Sequence, residues 1–438
     1  MLALFATIAV WCAAWCPAEN RVELIDIAPV WAGHKVAFAL LTHPPYQYVA
    51  YYDDQRRMTV ATRTLDQTEW SFHVLPETVG WDSHNYITMA IDSTGSLHLS
   101  GNMHVAPLKY FQTTNAHDIA SFMRIDKLIG SEESRVTYPS FMTGPAGQFI
   151  FTYRDGSSGN GNQIYDVYDP ITKHWSRLLD KPLVDGEGQR NAYFSGPMRG
   201  PDGFFHLCWV WREDPDCATN HDLSYARSKD LVNWETSQGK ALKLPITLST
   251  GEIVDPVPVH GGMINGNTKI GFDTKYRPVI AYHKFDMAGN TQLYNARLEE
   301  SGWRIYQCSN WDYRWDFGGG GSIDFEIRVQ PVTVDEHGNL TQGWQHKKFG
   351  NQRWRIDPET MQPIERIHDS RYQLPADLEK PRSTFPGMLV QFASDTGALN
   401  ESGVDYRLRW ETLGPNRDKP RSEPWPEPSM LQVIKIYK

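Results

Sequence analysis

One pattern recurs along this chain and limits the folds open to it: a short β-prone stretch, a tight turn built on Gly, Pro or Asp, and a second β-prone stretch. It appears as "FALLTHPPYQYVAYY", "MAIDSTGSLHLSG", "SFMTGPAGQFIFTY", "FSGPMRGPDGFFHLCW", "IGFDTKYRPVIAY", "VTVDEHGNLTQGW" and "VQFASDTGALN". The turns centre near Pro45, Gly95, Gly147, Gly203, Tyr276, Gly338 and Gly397, at intervals of 50, 52, 56, 73, 62 and 59 residues. Each pair is followed by a third strand and often by a fourth that carries Trp, as in "QIYDVYDPIT" then "WSRLL" and "LYNARLEESG" then "WRIYQC". Four strands per repeat, seven repeats and almost no helical periodicity predict an all-β, seven-bladed β-propeller of four-stranded antiparallel blades. The N-terminal "VELIDIAPVW" and the C-terminal "LQVIKIYK" are both strand-like. Pairing them would complete one blade and close the ring, which removes the exposed sheet edges that a large antiparallel protein must avoid.

Composition narrows the class further. The 438 residues are 40% hydrophobic and 22% charged, which suits a folded chain and not a disordered one. A net charge of −9 without a long basic run excludes a broad electrostatic footprint for nucleic acid. Sixteen Trp, 20 Tyr and 18 Phe supply flat rings with polar tips, suited both to a β-rich core and to stacking on sugars. Residues 1–18 are apolar up to Pro17, too short to span a membrane, and lack a basic start. They fit a secretory signal peptide cut after Ala18, with a Trp before each of Cys12 and Cys16 that argues against a lipoprotein-type site. The expectation is a secreted or periplasmic monomer with no membrane span, in which residues 19–438 form one propeller domain. Loss of the leader leaves Cys208, Cys217 and Cys308, an odd number, so Cys208 and Cys217 either pair or remain buried thiols.

Propeller geometry assigns residues to faces. The start of the first strand and the end of the second in each repeat meet on one rim, and the turn between them lies on the other. In "SHNYITMAIDSTGSLHLSGNMH", residues 83–104, this rule puts His84 and His104 side by side. The same rim collects Tyr138, Arg154, Arg190, Asn191, Tyr193, Arg212, His260, His283 and His346. A channel mouth that gathers titratable groups from several blades is the default site in such a fold. Any single one of these histidines is an ordinary strand-end residue; the concentration of His, Tyr and Arg on one rim is what points to function.

Glycoside hydrolysis would want a pair of Asp or Glu at the mouth. Asp82 and Asp155 lie near the rim, but no carboxylate pair dominates. β-Elimination from a uronic acid asks instead for His, Tyr and Arg. Its C5 proton is α to a carboxylate and cannot leave until that charge is neutralised, which a guanidinium does bidentately. A His or Tyr then takes the proton and a Tyr or His supplies one to the departing O4. In a glucuronate, H5 and O4 lie on the same side of the ring, so base and acid are neighbours or one residue.

The segments "YQYVAYYDDQRRMTVATRTL", "GWDSHNYITMAID", "GNMH", "RVTYPSF", "TYRDGSSGNGNQIYDVYD", "FHLCWVWREDPDCATNHDLSYARSKDLVNWE" and "YRWDFGGGGSIDFE" resemble the BNR-4 repeat proteins. That group includes seven-bladed ulvan lyases, and the likeness is strongest to its rhamnose-glucuronate branch, L-rhamnose-α-1,4-D-glucuronate lyases and related α-L-rhamnosidases acting on arabinogalactan caps. The resemblance covers nearly the whole mature chain. It implies a catalytic set of two histidines twenty apart, met by His84 and His104, and a Tyr and Arg sixteen apart, met by Tyr138 and Arg154. It assigns Arg154 to the substrate carboxylate, His84 and Tyr138 to acid and base in either order, and His104 to carboxylate or base. Asn85, Arg190, Tyr193, Arg212 and His283 are candidate substrate-binding residues. The substrate expected is a uronic-acid-containing polysaccharide or oligosaccharide, with ulvan as an alternative to arabinogalactan.

The same resemblance carries a rival. Some relatives are rhamnosidases that use a single His in the first turn of the opposite face; the matching position here is Gln47, which disfavours hydrolysis, while His43 in that loop keeps it open. Relatives also imply a structural Ca²⁺ or Zn²⁺ in the channel, with His260 as the candidate ligand, His206 beside it, and Cys208 and His221 as looser ones; no cofactor is expected for catalysis. "SKDLVNWE" resembles a degenerate Asp-box in which Asp230 orders a turn and Trp234 packs between blades. Asn339 and Asn400 lie in N-x-S/T sequons, relevant only to a eukaryotic secretory route.

Overall fold

The computed structural model describes residues 21–367, 374–397 and 403–437. The proposed leader, with Cys12 and Cys16, and the sequon at Asn400 lie outside the described residues. Those described form an all-β structure of six sheets, with two short 3₁₀ turns, Ile119–Ser121 and Cys217–Thr219, and no α-helix among them. No helix among them is long and apolar enough to cross a membrane.

The recurring unit is an antiparallel run of four strands in chain order. Ala39–His43, Tyr46–Tyr52, Arg57–Thr64 and Ser71–Thr78 form one; Ile87–Ile91, Leu97–Gly101, Tyr110–Thr113 and Phe122–Ile125 form the next. An eleven-stranded sheet holds two such runs in succession, from Val136–Thr143 to His174–Arg177 and from Asn191–Arg199 to Trp234–Glu235. A single parallel bridge, Gly161 to Asn191, joins them. Further runs begin at Lys269–Phe272 and at Ile327–Val329. In the last sheet Met388–Ser394, Val404–Leu413 and Ser429–Tyr437 are completed by the N-terminal strand Val22–Val30, paired antiparallel to Ser429–Tyr437. The successive runs make a propeller-like all-β architecture.

Burial explains why the second strand of each run reads as unbroken apolar sequence. Every residue of Phe205–Arg212 is buried, and so are all but the first of Tyr46–Tyr52, because both faces of these strands are covered by neighbouring sheets. The fourth strand Ser71–Thr78 alternates instead, with Leu75 and Glu77 buried between exposed residues, as an edge facing water should. Core clusters bridge successive sheets: one joins Tyr48 and Val49 to Leu99 and Phe111 and also to Leu408 and Val433. Another joins Tyr110 and Met103 to Phe151 and Tyr153.

The turns are built by Asp. Asp92 Oδ1 accepts from the backbone N–H of Thr94 (2.8 Å) and Ser96 (3.0 Å), Asp273 Oδ1 from Lys275 and Arg277 (both 2.9 Å), and Asp335 Oδ1 from His337 (2.9 Å) and Asn339 (2.8 Å). This Asx geometry leaves the fourth turn residue in the left-handed region, which Gly95 (φ 84°) and Gly338 (φ 80°) accept freely and Tyr276 (φ 61°) does not. Asp230 orders its turn in the same way, accepting from Val232 (2.9 Å) and Asn233 (2.7 Å), and Trp234 is buried beside it.

Candidate active site

Local irregularity in the strands brings the His, Tyr and Arg together. The second strand of its run ends at Gly101, and His104 opens a separate short strand, His104–Ala106, instead of closing the one before it. That strand crosses to the next run, where Thr137 pairs with His104 on one side and with Arg154 on the other. A register shift between Thr137 and Ser140 marks a bulge, and within it Tyr138 has φ 59°. A bulky residue there is an outlier, and a bulge is a way to re-aim a side chain. The Thr137 hydroxyl ties the three strands, accepting from Val105 N–H (2.8 Å) and from an Arg154 guanidinium N–H (3.1 Å).

The result is a cleft of about 560 Å³ whose wall includes His84, His104, Tyr138, Arg154, Tyr193 and Arg212. The imidazoles of His84 and His104 stack with centroids 4.1 Å apart, and the His84 ring meets Tyr138 edge-on at 5.7 Å. The Arg154 guanidinium lies over the Tyr138 ring at 4.9 Å, and that of Arg212 over Tyr193 at 5.4 Å. Tyr193 shares a hydrogen bond with Ser158 (2.7 Å). No Asp or Glu is among the described residues lining the cleft.

One carboxylate stands behind the histidines. Asp82 accepts from His84 Nδ1 (2.7 Å) and from His84 backbone N–H (2.8 Å), and its other oxygen accepts from His104 Nδ1. A carboxylate only accepts, so both imidazoles carry hydrogen on Nδ1, and Nε2 of each has no protein partner among the described residues. Burial would lower the pKa of His84, but hydrogen bonds to Asp418 and Asp82 and their charges outweigh it and carry it up to about 9. Burial would likewise raise Asp82, yet the bonds from His104 and His84 hold it far below the usual carboxylate range. The Tyr138 phenol is pushed up to about 12 by burial, and by Tyr193 next, against the pull of Arg154 and Arg212. Arg154 is 3% exposed, its Nε has no hydrogen-bond partner, and it has no ion pair among the described residues. Arg212 donates to the carbonyls of Asp214 (3.0 Å) and Pro215 and also has no ion pair there. Two buried guanidiniums without acids make the cleft a receptor for anions.

Several rim residues lie elsewhere. Arg190 is committed to Glu213, with Nε to Oε1 at 2.8 Å, and is not on the cleft wall. His283 is 1% exposed, packed on Trp315 (5.2 Å) and Phe317 and off the cleft wall, and burial lowers its pKa to about 4. His346 is buried among Trp311, Tyr313 and Phe349. Asn85 is off the wall too; its carbonyl accepts from the Tyr52 hydroxyl (2.6 Å).

His260 borders a smaller cavity of about 100 Å³ with Arg314 and Asp316, and no group of three close His, Cys, Asp or Glu donors forms around it among the described residues. His206 is tied to Tyr225 (2.6 Å) and Asp202 (2.9 Å), His221 to Glu213 (2.7 Å) and Asp222 (2.9 Å), and Cys208, Cys217 and Cys308 are free, buried thiols. The one group of three close His, Cys, Asp or Glu donors among the described residues is Asp82, His84 and His104. There the carboxylate stands between the two Nδ1 atoms and accepts from both. On the opposite face Gln47 is fully buried, donating to Thr42 Oγ1 (2.9 Å) and accepting from Arg63 Nε (3.0 Å), while His43 stacks on His117.

Over residues 46–311 the chain matches the family described as BNR repeat-containing family members, and it belongs to that family. No curated protein sequence matches it. Among solved structures it is similar to the polysaccharide lyase Uly1, at 14% identity and a TM-score of 0.63 over 96% of this chain and 99% of that one. It is also similar to an ulvan lyase solved with a bound -[GlcA(1-4)Rha3S]- ligand, at 13% identity and a TM-score of 0.61 over 94% of this chain and 95% of that one. At these identities the likeness is one of fold.

Proposed function

We propose that the chain is a secreted polysaccharide lyase that cleaves L-rhamnose-α-1,4-D-glucuronate linkages by β-elimination, releasing rhamnose and leaving a 4,5-unsaturated glucuronate. The observation that carries this reading is the acid-free Arg154 guanidinium set over Tyr138 beside the stacked His84 and His104. The fold suits it: the successive four-strand runs are read as seven blades of a propeller, closed by the pairing of Val22–Val30 with Ser429–Tyr437, with the cleft on one rim. The two solved lyases of the same fold, one holding a glucuronate-rhamnose ligand, support the choice of substrate class.

In the proposed reaction Arg154 takes the uronate carboxylate. His84, protonated at neutral pH because of its two carboxylate neighbours, adds a second positive charge to the enolate-like state and cannot be the base. Tyr138 holds its proton, so it is the acid that protonates O4. The base is His104: its Nδ1–H is engaged by Asp82, leaving the Nε2 lone pair to accept H5. The C5–H pair becomes the C4–C5 double bond as the C4–O4 bond breaks, and O4 leaves with the Tyr138 proton. Tyr193 and Arg212 extend the wall for the sugar beyond the scissile bond. The chemistry is carried by side chains.

The test is ultraviolet absorbance during incubation with a rhamnosyl-α-1,4-glucuronate oligosaccharide, with free rhamnose measured in parallel, for wild type, His104→Ala and Tyr138→Phe. Rhamnose with unsaturation, lost in both variants, is expected. Rhamnose without unsaturation would mean hydrolysis and overturn the assignment. Activity on ulvan alone would keep the mechanism and change the substrate.

A further inference from the structure

A second carboxylate stands behind His84, brought there from far along the chain. Asp418 Oδ1 accepts from Ser83 backbone N–H (3.1 Å), a contact 335 positions apart in sequence. Its Oδ2 accepts from Ser322 backbone N–H (2.8 Å) and stands 3.4 Å from His84 Nδ1. Arg417 next to it donates to the carbonyls of Gly318 (2.6 Å) and Gly320 (3.2 Å), and its own backbone N–H donates to Ser322 O (3.2 Å). Residues 318–322 are thereby strapped down, and Gly320, Gly321 and Ser322 form part of the cleft wall. A Cβ on Gly321 would come within 2.5 Å of the Arg417 carbonyl oxygen, so the strap needs glycine to lie this close. Arg417 and Asp418 have φ of 54° and 59°. Two consecutive non-glycine residues held in the left-handed region cost on the order of 1–3 kcal/mol each, and such strain gathers at functional sites.

We propose that Asp418 is a positioning residue: it holds His84 and the glycine strap in one arrangement and makes His84, not His104, the charged member of the stacked pair. This rests on the reading of the cleft as an elimination site. The two imidazoles lie 4.1 Å apart, and each donates from Nδ1 to its own oxygen of Asp82. Two imidazoliums at that distance repel, so one carries the charge and one stays neutral. Asp82 serves both and cannot choose between them. Asp418 touches only His84, and so breaks the symmetry in the sense the elimination needs, with a cation beside the carboxylate and a neutral base next to it. The titratable groups facing the His84 ring are Asp82 on its own loop, His104 and Tyr138 on the strands beside it, and Asp418 on the loop that follows Val404–Leu413; Arg154 lies beyond Tyr138.

The experiment is ¹⁵N NMR titration of the ring nitrogens in histidine-labelled wild type and Asp418→Asn, with no substrate present. Asn removes the charge and keeps one carbonyl oxygen, which can serve only one of the two backbone N–H groups, of Ser83 or of Ser322. The His84 midpoint is expected to fall by about one pH unit. An unchanged His84 midpoint in folded Asp418→Asn overturns the proposal. Should that variant not fold, Asp82→Asn serves: Asp418 alone should still hold His84 above the ordinary 6.5, and a midpoint at or below it overturns the proposal. The titration is independent of turnover. A shifted midpoint in a protein that eliminates no uronate substrate would uphold the role of Asp418 and overturn the lyase reading alone.

Discussion

Replacing Arg154 with Met separates catalysis from folding, because the two should move in opposite directions. The guanidinium is 3% exposed, makes one hydrogen bond, to Thr137 at 3.1 Å, leaves Nε unpaired and has no acid among the described residues to offset its charge. In the folded protein it is a desolvated cation repaid by that bond and by its place over Tyr138 at 4.9 Å. The bond is worth about 1.5–3 kcal/mol and the cation–π contact about 0.5–2 kcal/mol, whereas an ion taken from water costs several kcal/mol. Methionine fills similar space without that cost, so the net change in stability should lie between about zero and 2 kcal/mol in favour of the variant. Elimination loses the group that neutralises the carboxylate. Removing one such preorganised partner costs roughly 100- to 1,000-fold in rate, about 3–4 kcal/mol. Unsaturated-uronate absorbance gives kcat/KM, and thermal unfolding gives Tm. The reasoning is refuted by a variant that keeps activity within tenfold of wild type, or by one that loses several degrees of Tm, since Arg154 would then be a structural residue.

Three further outcomes follow from named contacts. Activity should fall as pH rises through about 9, where His84 loses its proton; its pKa is raised above the ordinary 6.5, so the stability it contributes is full below 6.5 and lost on the way to 9, which urea unfolding at pH 6, 8 and 10 would show, and a flat profile would sink the assignment. Gly161→Ala would place a Cβ 2.9 Å from Arg154 Cδ and from Asn191 Oδ1; the shifted guanidinium should cost roughly 100-fold in kcat/KM with secondary structure intact by circular dichroism. Gln47→Ala should destabilise the protein by about 1–3 kcal/mol, since the Arg63 guanidinium loses a buried acceptor, yet leave elimination unchanged; lost turnover would move the site to the opposite face.

What the sequence shows of the fold is local, and what it hides is long-range. The turns at Gly95, Gly203 and Gly338 are legible because an Asp close before each glycine writes its own hydrogen bonds, and Tyr276 is legible because Asp273 does the same without one. The neighbourhood of His84, His104, Tyr138 and Arg154 follows from strand ends meeting on one rim. The rule fails for Arg190 and His283, because it counts positions and not partners. Glu213 sits opposite Arg190, and the 311–317 segment folds Trp315 and Phe317 over His283. Asp82 carried a weak signal, two residues before His84. Asp418 carried none: nothing around "PNRDKP" says that the loop returns to the second run of strands.

Backbone strain gives the cleft a physical boundary. The strands that pack sheet against sheet are regular, and regular strands alternate their side chains between faces that are already buried. Such strands cannot aim four polar side chains from separate runs at one point. The chain does so by leaving regular geometry around the cleft: Asn102 (φ 61°) and Val105 (φ 52°) flank His104, Tyr138 (φ 59°) sits in its bulge, and Arg417 and Asp418 brace His84 from behind. Of these only Asn102 and Asp418 are of the non-glycine types that visit that region with any ease. The hydrogen bonds that hold them, Thr137 to Val105 and Arg154, Asp82 to both histidines, Asp418 to Ser83 and Ser322, are therefore what the strain is set against. Cutting one of them should loosen the site before it loosens the fold, because the cores between the sheets share none of these groups.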